Sequence, residues 1–343
     1  MNDLSGWSNL AIVTATVLYV AAFMLFAAEW ASARGLHQVA GPVRKGRALV
    51  TAAAAGGGER AEGSFPEYAD ADADADADAE SAADSEDADS GDPDRRIELF
   101  GRIGVAIALI AALANVAGVI LRGVAADRAP WGNMYEFTIT AMAFIAVAFL
   151  VLAMRWQMRW LGLPVALLLA VGNGVAVTVL YVDVAPLVPA LHSIWFIIHI
   201  VAAAISGAAF NIGGLASILY LIRQRLERTE KVTGYLTKLP HSSKLDVLSY
   251  RMLAFGFPLW TFTVAAGAVW AEYAWGRFWG WDPKETWALV TWVIYACYLH
   301  ARSTAGWKGA PAAWISVLGL VSFWFNFIGV NLLFSGLHSY AGI

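Results

Sequence analysis

The residues with the most chemical potential lie between Trp270 and His300. Six tryptophans fall between positions 270 and 292, and Asp282, Pro283, Lys284 and Glu285 sit among them. An indole offers a large flat apolar face with one N–H, and it favours the membrane–water boundary. An ordinary aromatic belt uses one or two such rings per helix end, so this density points to a wide, flat, partly polar ligand at a membrane surface. A haem has that shape. Neutral imidazole is a strong axial ligand for haem iron, and the chain carries six histidines: His37, His192, His199, His241, His300 and His338.

These residues need a membrane scaffold, and the composition supplies one. The chain is 59% hydrophobic and 15% charged, far from the balance of a soluble domain of this length. Eight apolar runs read as spans: Leu10–Ala28, Leu99–Leu121, Met134–Met154, Leu161–Val182, Ile194–Ile222, Met252–Trp270, Trp287–Ala301 and Ala312–Phe334. A spanning segment must satisfy its own backbone hydrogen bonds, so the expected fold is all-α, a polytopic membrane protein with about eight transmembrane helices. The first run lacks a basic flank and a small-residue cleavage site, so it reads as a retained helix rather than a signal peptide.

Residues 1–31 therefore form an N-terminal helix, 32–97 a linker, and 98–343 the main membrane domain, with the Trp-rich segment at 270–287. The linker carries an Ala-Asp repeat from Ala69 onward. Repeated like charge with few aromatics cannot bury enough surface to offset chain entropy, so this stretch is expected to be a disordered, solvated tether. The formal net charge of −4 is misleading, because fifteen acidic residues and one arginine fall between Glu59 and Asp94, and the rest holds 22 basic and 12 acidic residues. With the N-terminus outside, 19 of the 23 Lys and Arg lie on the inner side; only Arg122, Arg128, Arg277 and Lys284 lie outside. The positive-inside rule thus places both termini and the Trp-rich segment outside the membrane.

That topology puts His199, at the start of the fifth span, and His338, after the eighth, on the same side as the tryptophans. His192 lies near the same surface. His300, thirteen residues beyond Trp287, is roughly 20 Å deeper on a helix. His37 and His241 fall in inner connecting segments and read as surface residues. A lone intramembrane histidine ordinarily packs or bridges helices; two beside an outward Trp platform shift the reading toward axial ligation. Asp282 and Pro283 read equally as a helix start, while Arg277 and Lys284 are candidates to meet ligand carboxylates. The single Cys297 excludes an intrachain disulfide, a CxxC redox pair and a CxxCH attachment site.

At these residues the chain resembles a known family. Trp275-Gly-Arg-Phe-Trp279-Gly-Trp281-Asp282-Pro-Lys284-Glu285-Thr-Trp287 is similar to the WWD signature of haem-handling proteins. With Tyr298-Leu-His300-Ala-Arg302, Trp131-Gly-Asn133-Met-Tyr-Glu136, Trp195-Phe-Ile-Ile-His199 and Asn331-Leu-Leu-Phe-Ser-Gly336-Leu-His338-Ser-Tyr340, the pattern resembles CcsA/ResC-type (also called CcsB) System II cytochrome c biogenesis proteins over roughly residues 99 to 343. The resemblance implies a subunit of a cytochrome c haem lyase (synthase) in the bacterial cytoplasmic membrane, which carries haem b to the outer face and presents it to the CxxCH segment of apocytochrome c. It implies His199 and His338 as axial ligands of the haem iron, His300 at an entry site, and Trp275, Trp279, Trp281, Asp282 and Trp287 as the haem platform. It also implies a ResB/Ccs1-like membrane partner, a thioredoxin-like thiol reductant and contact with membrane lipid, with no nucleic acid. No catalytic nucleophile or acid–base pair is expected. The first span and the acidic linker depart from the family pattern. Two rival readings stand beside this one: a transporter that moves haem or another solute without ligase activity, and a System I WWD haem-delivery protein.

Overall fold

The computed structural model describes residues 2–39, 93–229 and 239–338. Its elements are α1 (Asn2–Val39), α2 (Pro93–Ala126), α3 (Met134–Arg155), α4 (Gly162–Thr178), α5 (Ile194–Arg228), α6 (Ser242–Trp275), α7 (Pro283–Ser303), α8 (Ala310–Trp324) and the short α9 (Val330–Leu333), with one π-helical turn, Phe325–Gly329, joining the last two. No strand occurs among the described residues. Seven of these helical stretches are long and apolar enough to cross a membrane, the seventh being α8 to α9 taken together. The remaining long helix, α7, has 21 residues, about 31 Å at 1.5 Å per residue. Its charges sit at its ends (Lys284 and Glu285, then Arg302), leaving an apolar middle. The chain is a multi-pass membrane protein, all-α as its hydropathy demanded.

Helices α1, α2 and α4 pack together, α5 packs against α6 and α8, α7 lies on α8, and α3 contacts both groups. Large apolar side chains remain on the outer surface, among them Val17, Leu113, Val171 and Leu318, as lipid-facing positions should. Apolar lipid gives little hydrophobic drive between helices, so close approach and interhelical hydrogen bonds do the joining. Gly118 illustrates the first: a Cβ there would lie 2.6 Å from Ile12 Cδ1. Ser217, bonded to Ser249 at 2.6 Å and to Ser316 at 2.9 Å, ties α5, α6 and α8 by the second.

The N-terminal helix is therefore a built-in member of the bundle and reaches Val39, eight residues beyond the boundary at residue 31. The acidic repeat, Tyr340 and the His37 side chain lie outside the described residues.

Candidate haem-handling site

The ends of α2, α5's start, α6's end, α7's start and α9 all meet at one end of the bundle. The loop between α6 and α7 carries the Trp–Asp segment, and its conformation follows from a few bonds. Gly276 closes α6 in the left-handed region (φ +69°), where a residue without Cβ is favoured. Asp282 caps α7, Pro283 takes the first turn, and Asp282 with Glu285 completes a capping box. Glu285 also accepts from Arg277 Nη1 at 2.9 Å and Gly280 N at 2.8 Å, so one buried carboxylate holds the whole loop. Trp281 sits in the left-handed region at φ +59° with its side chain 68% exposed. Such a conformation costs about 1–3 kcal/mol for a bulky residue.

Asp282 reaches past its own helix. Its carboxylate accepts from His338 Nδ1 at 2.7 Å and from Leu337 N at 2.7 Å, as well as from Lys284 N at 3.2 Å. Burial pushes the Asp282 carboxyl upward, but the His338 bond and charge and the two main-chain donors outweigh it and hold the group below its ordinary range. When the ring is neutral, the bond places its proton on Nδ1 and leaves the lone pair on Nε2, the tautomer that ligates metal. His199 carries the same device. Its Nδ1 lies 2.9 Å from the Thr263 carbonyl oxygen, which can only accept.

Trp270 touches both histidines. Its ring is 2% exposed, with its Nε1–H donated to Ala190 O at 2.8 Å. The His199 ring stacks on it at 5.8 Å with a 22° tilt, and His338 meets it edge-on at 5.6 Å. Trp275 is 4.9 Å from both Trp270 and His338.

These rings border a cavity of about 210 Å³ lined by both histidines, Trp131, Trp270, Trp275 and Trp279, which continues down to Asn211 and Trp324. The wall suits a haem: two imidazoles poised as ligands, flat aromatic sides and few polar atoms. Its size is below the ~300–1,000 Å³ of typical small-molecule sites, so a porphyrin would need a wider cavity than this one.

A buried ion cluster braces the same end. Glu136 accepts from Arg122 Nε at 2.9 Å and Arg128 Nη1 at 2.7 Å, and the two arginines hold the carbonyls of Val182 and Ala185. Asn133 caps α3 by accepting from Glu136 N. The Trp131–Glu136 motif thus fixes the junction of α2, α3 and the 182–185 loop, and Trp131 reaches the cavity from it.

This arrangement can be set beside known proteins. The family model described as cytochrome C assembly protein matches residues 106–338. The chain belongs to that family. Among curated relatives it is 36% identical over 272 residues to the cytochrome c biogenesis protein CcsA of Mesostigma viride, covering 71% of this chain and 87% of that protein. It is 34% identical over 298 residues to CcsA of Gloeobacter violaceus, covering 72% and 88%. With CcsA of Chlamydomonas reinhardtii it shares 47% identity over 157 residues, covering 45% of this chain and 43% of that protein. The protein is a CcsA-type member of the cytochrome c assembly family, with a role in cytochrome c biogenesis.

Within this family member, the structure brings His199, His338, Trp275 and Trp279 to one cavity, with Asp282 behind His338. Trp281 points to the exterior, and Trp287 packs on Phe325 at 4.3 Å; neither lines the cavity. His192 is exposed on the connecting loop, and His241 caps the start of α6 at the opposite end. His300 lies on the exposed face of α7 near that opposite end, beside a separate groove with Trp292, Cys297 and Trp307. Arg277 is taken up by Glu285, and Lys284 turns inward to the π-helical turn. Sequence reasoning did not single out Trp270 as a site residue, nor Trp131, Thr140 and Asn326 in the cavity wall. The position of Trp270 at the head of the Trp-rich run was the available signal.

Proposed function

We propose that this protein is the haem-presenting subunit of a System II cytochrome c synthase. It receives haem b as substrate, carries it to the outer face of the bacterial cytoplasmic membrane, and holds it there for attachment to the CxxCH segment of apocytochrome c. The N-terminus and the Trp loop face outward, as the basic residues favour. A ResB/Ccs1-like membrane protein is the partner, and a thioredoxin-like protein keeps the substrate thiols reduced. His300 belongs to the entry site near the inner face.

The observation that carries this reading is the pair of histidines touching Trp270, each with Nδ1 engaged by an oxygen and Nε2 in the ligating form. His199 and His338 bind the iron from opposite faces, Trp270, Trp275 and Trp279 support the ring, and Asp282 orients His338. Each thioether forms when a cysteine S–H adds across a vinyl C=C, the sulfur bonding one carbon and the proton passing to the other. No electrons are lost or gained, so the protein need supply no nucleophile. Positioning and exclusion of water are its contribution. The histidine of CxxCH then displaces one axial ligand and draws the product away.

The test is an absorption spectrum of the full chain purified with its ResB-like partner, beside His199→Ala and His338→Ala versions. Sharp reduced-haem bands in the parent that are lost or broadened in both variants support the reading. A parent that takes up no haem when haem is supplied refutes it.

A further inference from the structure

Lys284 brings its side-chain nitrogen into the cavity wall with no carboxylate within ion-pair distance. Its Nζ donates to the main-chain oxygens of Asn326 at 2.9 Å and Phe327 at 3.2 Å, and its side chain lines the cavity. Among the described residues it forms no ion pair. The neighbouring carboxylates are committed elsewhere: Asp282 to His338 and Leu337, Glu285 to Arg277 and the loop amides. An ammonium has three donors, and removing it from water is costly without a matching anion.

The same wall holds three buried polar atoms with no hydrogen-bond partner: Trp131 Nε1, and Thr140 Oγ1 and Asn326 Oδ1 on residues 4% and 8% exposed. Asn326 occupies the π-helical turn whose carbonyls Lys284 caps. Thr140 lines the same cavity from α3. Asn331 Nδ2 meets Met134 Sδ at 3.0 Å, and the two segments run in opposite directions. Counting inward from that contact puts Thr140 and Asn326 at similar depth, roughly 9 and 7.5 Å below it at about 1.5 Å per residue. A lysine amine, a hydroxyl and a carboxamide thus share the cavity wall at similar depth. Half a turn of the carboxamide presents its N–H₂ in place of Oδ1, so all three groups can donate.

We infer that Lys284, Asn326 and Thr140 form a carboxylate-binding pole that takes a propionate of the bound haem. The inference rests on the haem-presenting reading above and adds the ring's orientation to it. Haem b carries its propionates on one edge and its vinyl groups on the opposite one. Anchoring the propionate edge at Lys284, Asn326 and Thr140 turns the vinyl edge away from that wall. Arg277 is held by Glu285 and takes no part in the pole.

The test compares binding of haemin and haemin dimethyl ester to the full chain with its partner, followed by absorption. In the parent, the free acid binds about tenfold or more tightly than the ester, as a charge-assisted hydrogen bond requires. Lys284→Met removes that preference, Lys284→Arg restores most of it, and Thr140→Val, which leaves the Lys284 cap untouched, reduces it. Equal affinity for acid and ester in a parent that shows bis-histidine bands overturns the pole while leaving the presenting role standing. Full preference retained in Lys284→Met overturns it as well. A parent that binds neither form defeats both proposals together.

Discussion

Replacing Asp282 by Asn isolates one physical effect, because it keeps the size of the side chain and one acceptor oxygen. In the parent, one carboxylate oxygen accepts from Leu337 N and the other from His338 Nδ1 and Lys284 N. An amide offers one oxygen and one N–H₂. If the oxygen keeps the main-chain bond that pins Leu337, the N–H₂ faces His338, whose Nδ1 must then become the acceptor. The proton moves to Nε2, and the ring is locked in the tautomer that cannot ligate. Losing an outer partner of a metal-binding histidine commonly costs about 10–100-fold in affinity, and that is the expected fall in haem affinity here. Stability should fall as well, because the N–H₂ that faces His338 also faces Lys284 N and the cap bond, worth about 1 kcal/mol, is lost. Asp282→Ala loses the cap together with the charge-assisted bond, about 1.5–3 kcal/mol. The assay is haemin titration into the partner-bound protein, with thermal unfolding alongside. Parent-like affinity and reduced bands in Asp282→Asn would refute the orienting role.

Gly267→Ala should mimic His199→Ala, because a Cβ at 267 would lie 2.8 Å from both Nδ1 and Cε1 of His199 and push the ring from the Thr263 carbonyl. Spectra should show the bis-histidine bands weakened although Ala favours the helix over Gly. Glu136→Gln leaves two buried arginines without a counter-ion and should destabilise the fold by ~3–5 kcal/mol, read as a lower unfolding midpoint or loss of folded protein. For pH, the sign follows from the depressed Asp282 carboxyl. Its stabilisation is complete above the ordinary value of 3.8 and is lost as pH falls through the lower folded value. The stability gap between parent and Asp282→Asn should therefore persist down to about pH 4 and close only below it; a gap that vanished near neutrality would contradict the assignment.

The sequence by itself determined the membrane scaffold and which ends of the spans share one end of the bundle. Apolar runs longer than the bilayer core must be helices, whatever surrounds them, so the all-α fold and nearly every span were legible from hydropathy alone. Strand-free connectivity then made parity sufficient to bring His199, His338 and the Trp loop to one end. The helix-start reading of Asp282 and Pro283 was equally local, because a cap depends on residues within one turn. Only the tertiary structure decided which side chains meet. That Asp282 turns from its own helix to His338, 56 positions away, depends on how α9 returns across α7. The sorting of the tryptophans is of the same kind: Trp270 and Trp275 face the histidines, Trp281 turns outward, and Trp287 leans on Phe325. The π-helical turn that brings Asn326 and the Lys284 contact into the cavity leaves no mark in hydropathy, since it changes one hydrogen-bond step in an otherwise continuous helix. Periodicity fixes where a helix lies; rotation about its axis, and the pairing that follows, are set by packing against neighbours distant in the chain.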